Sequence, residues 1–298
     1  MVSFRKPSKQ ARHALESLTA IGTPRHGNKE AGRIHSQGTK RTYESQLSVF
    51  TKYLQQHRLG DLQNFTLKTA LLYLEDRCAE VGQSTLDLDR QALQAVLKVQ
   101  IPFIHSDLKS IQTSRAYTAA QVKLVAQAQS AKYNLSTLIV ESAGLRAHEL
   151  LTLRRADERP RDTHRNYRND RFVIWGNAFV LYTVKGKGGL CREVAIDKAL
   201  VAQLEARRLN APRSVWDRNI QYEQHYEIGG GHNWTNSFTK ASERALGWSE
   251  GGHGVRHSYA QARMIALQAN GYTYDDALEL VSQEMGHFRA SITEVYLR

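Results

Sequence analysis

The chain has 298 residues and a formal net charge of +12, with 41 Lys and Arg against 29 Asp and Glu. At about 100–200 residues per domain, this length predicts two domains. No run approaches the ~18 apolar residues of a membrane span, and the start, MVSFRKPSKQ, lacks the apolar core of a secretory signal. Two cysteines cannot form a disulfide framework, which favours a reduced, cytoplasmic protein. The basic charge indicates a nucleic-acid partner, although a merely soluble basic protein would carry it equally well.

The positive charge is concentrated at the start of the chain. Residues 1–41 hold nine basic and two acidic residues, which is +7 of the +12. The segment is rich in Gly, Ser and Thr and weakly periodic up to about residue 35. We predict a flexible basic arm over residues 1–35 that can track phosphates; a disordered, solvated tail fits the same pattern.

A helical pattern begins near Thr39 and predicts a small helical domain over residues 36–105. Two stretches place apolar residues at helical spacing: Tyr43, Leu47, Phe50 and Leu54, then Leu67, Leu71, Leu74, Cys78 and Val81. Ser84 and Asp87 match a capping box that would open a third helix. The polar residues 106–117 are predicted to form a linker.

A second domain is predicted over residues 118–298. Thr118 and Gln121 match a capping box, and further helices are expected over 136–143 and over RAHELLTLRR, which is residues 146–155. Strands expected at 171–175, 178–184 and 190–196 form a three-stranded antiparallel meander. Helices return after residue 197. The predicted fold class is therefore mainly α with a small antiparallel β-sheet (α+β).

Two polar stretches interrupt this domain. Residues 154–171 contain seven Arg and four acidic residues, and we expect a loop near DNA. Residues 219–234 contain three consecutive glycines, and we expect a mobile insertion there.

Several chemistries lack their motifs. The sequence has no G-x-x-x-x-G-K-[ST] and no G-x-G-x-x-G, which argues against an ATPase or a dinucleotide enzyme. His253 and His257 have a spacing that could hold a metal, but no clear third ligand accompanies them. What remains in the second domain is a set of cationic and polar residues: Arg146, Glu149, Lys185, Lys187, His253, Arg256, His287 and Tyr296. Each alone is typical of a surface charge, a helix end or a core position.

Together and in this order, these residues resemble the signature of the tyrosine recombinases, the phage-integrase-like site-specific recombinases. GLR-x-x-E occurs at residues 144–149, GKG at 186–188 and H-x-x-R-H at 253–257, and Tyr296 comes nine positions after His287. The resemblance covers nearly the whole second domain. It implies a tyrosine-recombinase catalytic domain there, and the helical first domain looks like the family's core DNA-binding domain.

The resemblance implies that Tyr296 attacks DNA to form a 3′-phosphotyrosyl intermediate and a free 5′-hydroxyl, without metal, cofactor or ATP. Elementary chemistry agrees, because a phenol of pKa ~10 becomes a useful nucleophile only near cations or a base. Arg146 and Arg256 can fork onto phosphate oxygens, and His253 and His287 can exchange protons or donate to the phosphate.

Three further residues have weaker predicted roles. Lys187 is expected to protonate the leaving 5′ oxygen, with Lys185 as the alternative in the same turn. Glu149 is expected to orient Arg146 or a nearby histidine, against the plainer reading of a helix-surface carboxylate. His257 is expected to be a packing residue.

The implied partners are double-stranded DNA at a specific recombination site, a homo-tetramer on that DNA, and accessory DNA-bending proteins. The implied location is the cytoplasm, in association with the nucleoid. Two alternatives stay open: a DNA-binding protein that keeps the fold without recombining, and a type IB topoisomerase-like or telomere-resolving enzyme. The topoisomerase-like or telomere-resolving enzyme would share the cleavage chemistry of a recombinase and differ in the fate of the 5′-hydroxyl.

Overall fold

The computed structural model describes residues 6–23, 33–109 and 113–298. The chain divides into two compact units, residues 1–111 and 112–298, and this division falls inside the stretch predicted as a linker. Helices predominate, with small antiparallel sheets in the second unit, so the predicted fold class is confirmed. In the part of the chain that is described, no helix is both long and apolar enough to cross a membrane.

The first unit is helical. Its described helices are α1 (Pro7–Glu16), α2 (Gln37–Gln56), α3 (Leu67–Cys78) and α4 (Gln83–Leu97). The Ser36 hydroxyl caps α2 by accepting a hydrogen bond from the backbone of Thr39 at 3.0 Å. Phe50 lies at the centre of the core, where its ring is 4.9 Å from the rings of both Phe65 and Tyr73.

Helix α1 corrects the expectation of a flexible arm. Ala11 and Leu15 are 0% exposed and join the core of the first unit. These two apolar residues are one helical turn apart, and basic and polar neighbours obscure the pattern. Their burial against α2 stabilises a helix that the local periodicity does not predict. Residues 1–5 and 24–32 of the predicted arm lie outside the described residues.

The capping box predicted at Ser84 is also wrong. Helix α4 begins two residues earlier in the chain than that motif requires, with Gly82 as its N-cap and no side-chain cap hydrogen bond. The equivalent prediction in the second unit is confirmed, because Thr118 and Gln121 form a reciprocal capping box at the start of the next helix.

The second unit contains seven described helices and five described strands. They are α5 (Ala119–Gln127), α6 (Ala131–Ala143), β1 (Arg154–Arg155), β2 (Phe179–Lys185), β3 (Cys191–Asp197), α7 (Lys198–Glu205), β4 (Arg208–Asp217), β5 (Ile220–Tyr226), α8 (Gly231–Leu246), α9 (His253–Ala269), α10 (Tyr274–Glu284) and α11 (Ala290–Glu294), together with 3₁₀ turns at Glu149–Thr152, Val173–Ala178 and Lys187–Gly189. The core of this unit lies between the helices and the β1-β2-β3 sheet.

The three-stranded antiparallel sheet exists, but its first strand is not the predicted one. β1 pairs with β2 through Arg154 opposite Thr183, and this strand falls where a helix over residues 146–155 was expected. The predicted strand at 171–175 is instead part of a bend and a 3₁₀ turn. Its aromatic and β-branched residues favour a strand, but Phe172 has φ +64° and Gly176 has φ +51°, which break an extended backbone.

The polar stretch 219–234 is ordered rather than a mobile insertion. β5 pairs with β4 as a two-stranded ribbon, and α8 begins at Gly231. The glycines that suggested mobility are closely packed: a Cβ on Gly229 would lie 2.1 Å from the ring of Tyr133. Glycine is required there for close approach rather than for flexibility.

Candidate active site

Arg146 follows the end of α6 and is oriented by Glu149. Its backbone N–H donates to Oε2 of Glu149 at 2.7 Å, and its Nη1 donates to Oε1 at 3.0 Å. Gly144 makes this turn possible, because its φ is +60° and a Cβ there would lie 2.4 Å from the ring of Tyr259. The predicted orienting role of Glu149 therefore has a direct geometric basis, and a helix-surface position does not apply because Glu149 is 0% exposed.

Arg256 lies in the first turn of α9 and is fully buried. Its Nη1 donates to the carbonyl of Gly144, and its Nη2 donates to the carbonyl of Met285 at 2.6 Å. Nη1 of Arg146 approaches the same Met285 carbonyl at 3.3 Å. One backbone oxygen thus holds both guanidiniums side by side.

The charges around this pair, all buried except the half-buried Arg146, do not cancel. Four guanidiniums (Arg146, Arg192, Arg256 and Arg263) accompany two carboxylates (Glu149 and Glu284), which leaves two more positive than negative charges. Nη2 of Arg192 donates to Glu149 at 2.9 Å, and Arg263 binds Glu284 through two nitrogens. An excess of buried positive charge is an electrostatic site for an anion.

The pKa values in this cluster follow from the same arrangement. Burial raises the pKa of the Glu149 carboxyl, but the guanidiniums of Arg192, Arg146 and Arg256 outweigh it and lower the pKa to about 2. Burial, followed by the charge of Arg146, lowers the pKa of Arg256 to about 10. Both groups are therefore charged at neutral pH.

His287 bridges the arginines and the last helix. Nη2 of Arg256 lies 3.1 Å from its Nε2, and its Nδ1 lies 3.2 Å from the hydroxyl oxygen of Thr293. A guanidinium only donates, so Nε2 accepts and Nδ1 carries the proton. Burial and the charges of Arg256 and Arg146 lower the pKa of His287 to about 3, so the ring is neutral at pH 7.

Tyr296 is surrounded by histidine rings. The centroid of its ring lies 4.6 Å from that of His257, 5.1 Å from that of His287 and 5.4 Å from that of His253. The guanidinium carbon of Arg256 is 5.5 Å from the same centroid. The tyrosine is 8% exposed, and its hydroxyl has no hydrogen-bond partner among residues 6–23, 33–109 and 113–298.

The two histidines of α9 differ in exposure. His253 is exposed at the start of the helix, and desolvation by neighbouring atoms, with the charge of Arg256, lowers its pKa to about 4. His257 is 5% exposed, and burial lowers its pKa to about 4 as well. Its contact with Tyr296 fits the packing role predicted for it.

The turn that carries the two candidate lysines lies against the site. Between β2 and β3, a Cβ on Gly186 would be 3.2 Å from Oε1 of Glu149 and 3.9 Å from Nη1 of Arg146. Lys185 ends β2 and is exposed. The side chain of Lys187 lies outside the described residues, so its predicted role stays a prediction.

Sequence reasoning missed two groups that organise the site. Arg192 is 1% exposed on β3 and joins Glu149 to the carbonyl of Glu284, which it reaches at 3.0 Å. The Met285 carbonyl holds Arg146 and Arg256 together. Arg192 lies beside Cys191 in a strand whose buried residues are otherwise apolar, which is a signal for the first; a backbone carbonyl leaves none. Among the described residues, no three His, Cys, Asp or Glu side chains converge to hold a metal ion.

Comparisons with known proteins bear on the fold of the chain. Residues 30–101 match the family described as phage integrase, N-terminal SAM-like domain. The XerH site-specific recombinase, in its pre-cleavage complex with the difH substrate, aligns at 15% identity over 98% of this chain and 91% of that chain, with a TM-score of 0.56. Lambda integrase, as a tetramer bound to a Holliday junction, aligns at 15% identity over 90% of this chain and 74% of that chain, with a TM-score of 0.52. Comparison with curated proteins gives no match.

The chain therefore has the fold of the tyrosine recombinases, the family that its motifs resemble.

Proposed function

We propose that this protein is a site-specific DNA recombinase that cleaves and rejoins DNA through Tyr296. The observation that carries the proposal is the position of a buried tyrosine ring against Arg256 and His287, beside a cluster with excess positive charge. Such a cluster fits the anionic phosphorus centre that develops during phosphoryl transfer. The second unit would be the catalytic domain, and residues 36–105 would bind the core of the DNA site.

In the cleavage step, the Tyr296 oxygen attacks the phosphorus atom, and the bond from phosphorus to the 5′ oxygen breaks. The phenolic proton goes to a neutral histidine or to water, and the 5′ oxygen takes a proton from Lys187. Arg146 and Arg256 bind the non-bridging oxygens and supply the charge stabilisation that a metal ion provides elsewhere. The phosphotyrosyl bond conserves the bond energy, so a 5′-hydroxyl can reverse the step without ATP.

The histidines are suited to proton exchange because their pKa values can change when a phosphate binds. With the monoanionic phosphodiester or its dianionic transition state in place, the charges of Arg256 and Arg146 would be offset, and the pKa of His287 would rise from about 3 towards its ordinary value. His287 could then donate to a phosphate oxygen, and His253, whose ring centroid lies 5.4 Å from that of Tyr296, would be the second donor.

The proposed partner is double-stranded DNA carrying a specific site, bound by four copies of this chain with the help of DNA-bending proteins. Two solved structures support the DNA and the four copies, but not the DNA-bending proteins: one is a recombinase on its substrate DNA, and the other is a tetramer on a Holliday junction. The excess of positive charge in the sequence is consistent with a polyanionic partner.

A nicked suicide substrate tests the proposal. The duplex is obtained by selecting bound fragments from a random library, and a nick near the cleavage position lets the 5′-hydroxyl strand diffuse away. We expect a protein–DNA adduct that survives denaturation by detergent. Binding without any adduct would instead identify a protein that keeps the fold and only binds DNA. Sequencing the rejoined DNA distinguishes a recombinase from a telomere-resolving enzyme, since the latter would yield hairpin ends.

A further inference from the structure

The arginine-rich segment between β1 and β2 packs against the part of the chain that carries His287. Arg168 anchors it to α10: its backbone N–H donates to Oε1 of Gln283 at 2.8 Å, and its Nη1 donates to Asp276 at 2.6 Å. A further hydrogen bond from Nη1 reaches Glu279 at 3.1 Å. Several charge-assisted contacts from one side chain fix the position of the segment on this helix.

Tyr167 is the residue through which this segment contacts the loop after α10. Its ring lies edge-on to the ring of Phe288, with centroids 5.0 Å apart. The guanidinium carbons of Arg161 and Arg171 lie 4.6 and 4.2 Å from the centroid of Tyr167. Both arginines also bind Glu193 on β3, at 3.1 and 2.7 Å. The two arginines therefore fix the position of the tyrosine ring that contacts Phe288.

Phe288 has a backbone conformation that needs outside support. Its φ is +56°, in the left-handed region that side chains other than glycine rarely adopt. Such a residue costs on the order of 1–3 kcal/mol and persists only where its surroundings hold it. The residue before it is His287, whose imidazole reaches Arg256 and the ring of Tyr296.

We propose that Tyr167 is a positioning residue: its ring holds Phe288 in this conformation and so fixes the imidazole of His287 between Arg256 and Tyr296. The inference rests on the proposed function only where catalysis is measured. The placement of His287 itself can be tested without DNA.

The first experiment records the side-chain nitrogen signals of His287 by NMR in the full-length protein at pH 7. Tyr167→Phe keeps the ring and should retain the signature of an Nδ1-protonated, Nε2-accepting imidazole. Tyr167→Ala should give averaged signals from both tautomers. Phe179→Ala is the control, because it removes a core-edge aromatic ring that contacts Trp175 and not Phe288. An unchanged His287 signature in Tyr167→Ala, or the same change in Phe179→Ala, would overturn the proposal.

The second experiment measures the rate of adduct formation on bound suicide substrate. Tyr167→Ala should slow it by about 10²-fold, as expected for a misplacement of roughly 1 Å, with DNA affinity unchanged and with Tyr167→Phe close to wild type. In a Phe288→Ala background, Tyr167→Ala should have little further effect if it acts through that ring. Additive effects would contradict the proposal. Absence of an adduct from the wild type would refute the proposed function instead, and the NMR result would still decide the role of Tyr167.

Discussion

Arg256 donates a hydrogen bond from Nη2 to Nε2 of His287, with 3.1 Å between the two atoms. Since a guanidinium cannot accept, this contact exists only while Nε2 is unprotonated, and Nδ1 then donates to Thr293. The contact therefore links the protonation state of the histidine to the position of the arginine. Under the proposed function, an arriving phosphate would replace His287 as the acceptor of Arg256 and release the histidine to bind a proton.

This link predicts a pH dependence of stability. His287 has a pKa of about 6.5 in the unfolded chain and about 3 in the folded protein. Between these values the unfolded chain binds more protons, so the contribution of neutral His287 is complete above pH 6.5 and is lost as the pH falls towards 3. We expect His287→Gln to reduce the slope of unfolding free energy against pH by about 1 kcal/mol per unit between pH 6 and 5.

Urea denaturation at half-unit pH intervals measures this slope. His164→Gln is the control, because that side chain is 64% exposed and lies away from the arginine pair. The control should keep the wild-type slope. A slope in His287→Gln equal to that of the wild type would show that His287 does not titrate as described.

Glu149→Gln should strongly destabilise the protein. The carboxylate is 0% exposed and binds both Arg146 and Arg192, so its neutralisation leaves a buried guanidinium without a counter-charge. Breaking a buried pair in this way costs about 3–5 kcal/mol. Glu243→Gln on the exposed side of α8 should change stability by no more than about 0.5 kcal/mol.

Because the pKa of Glu149 is lowered on folding, the stability that this carboxylate contributes decreases as the pH falls. Glu149 titrates near 2 in the folded protein and near 4.3 in the unfolded chain, so its contribution is present above pH 4.3 and is lost as the pH falls through 2. Calorimetry or urea denaturation at pH 7 measures the loss of stability in Glu149→Gln. A Glu149→Gln variant as stable as the wild type would contradict the account of the buried charges.

Two glycines allow a matched test of the turn before Arg146. Gly144 and Gly247 both end helices with positive φ, +60° and +80°, but only at Gly144 would a Cβ meet another atom, 2.4 Å away in the Tyr259 ring. Gly247→Ala should cost about 1 kcal/mol for the backbone alone. Gly144→Ala should cost about 1–3 kcal/mol more, because the ring of a buried tyrosine must move. Equal losses in denaturant unfolding would show that the close approach is not a constraint.

A 5′-thio substrate distinguishes the two candidate general acids. A thiolate leaves without a proton, so a variant that lacks only the general acid recovers on DNA whose bridging 5′ oxygen is replaced by sulfur. Lys187→Ala should be slow on normal DNA and recover on the thio substrate, whereas Lys185→Ala should be nearly unaffected on both. The rates come from single-turnover cleavage. Rescue of Lys185→Ala alone would reverse the assignment.

The sequence predicts best what is local or what the family motifs mark. The capping box at Thr118 depends on residues three apart and was predicted correctly, and the motif residues Arg146, Arg256, His287 and Tyr296 do come together. Strand β1 and helix α1 were missed because each is specified by a distant partner rather than by its own pattern. The same reason explains why the roles of Arg192 and of the Met285 carbonyl were not foreseen.

The measurement that tests the central claim most directly identifies the residue and the DNA end joined in the adduct. Wild-type protein, Tyr296→Phe and the control Tyr274→Phe, whose side chain is largely exposed, are incubated with the suicide substrate, and the trapped adduct is digested and analysed by mass spectrometry. We predict a peptide with Tyr296 esterified to a 3′ phosphate in the wild type and in Tyr274→Phe, and no adduct in Tyr296→Phe, which should still bind the DNA. An adduct at another residue, a 5′ linkage, or an undiminished yield from Tyr296→Phe would contradict the account.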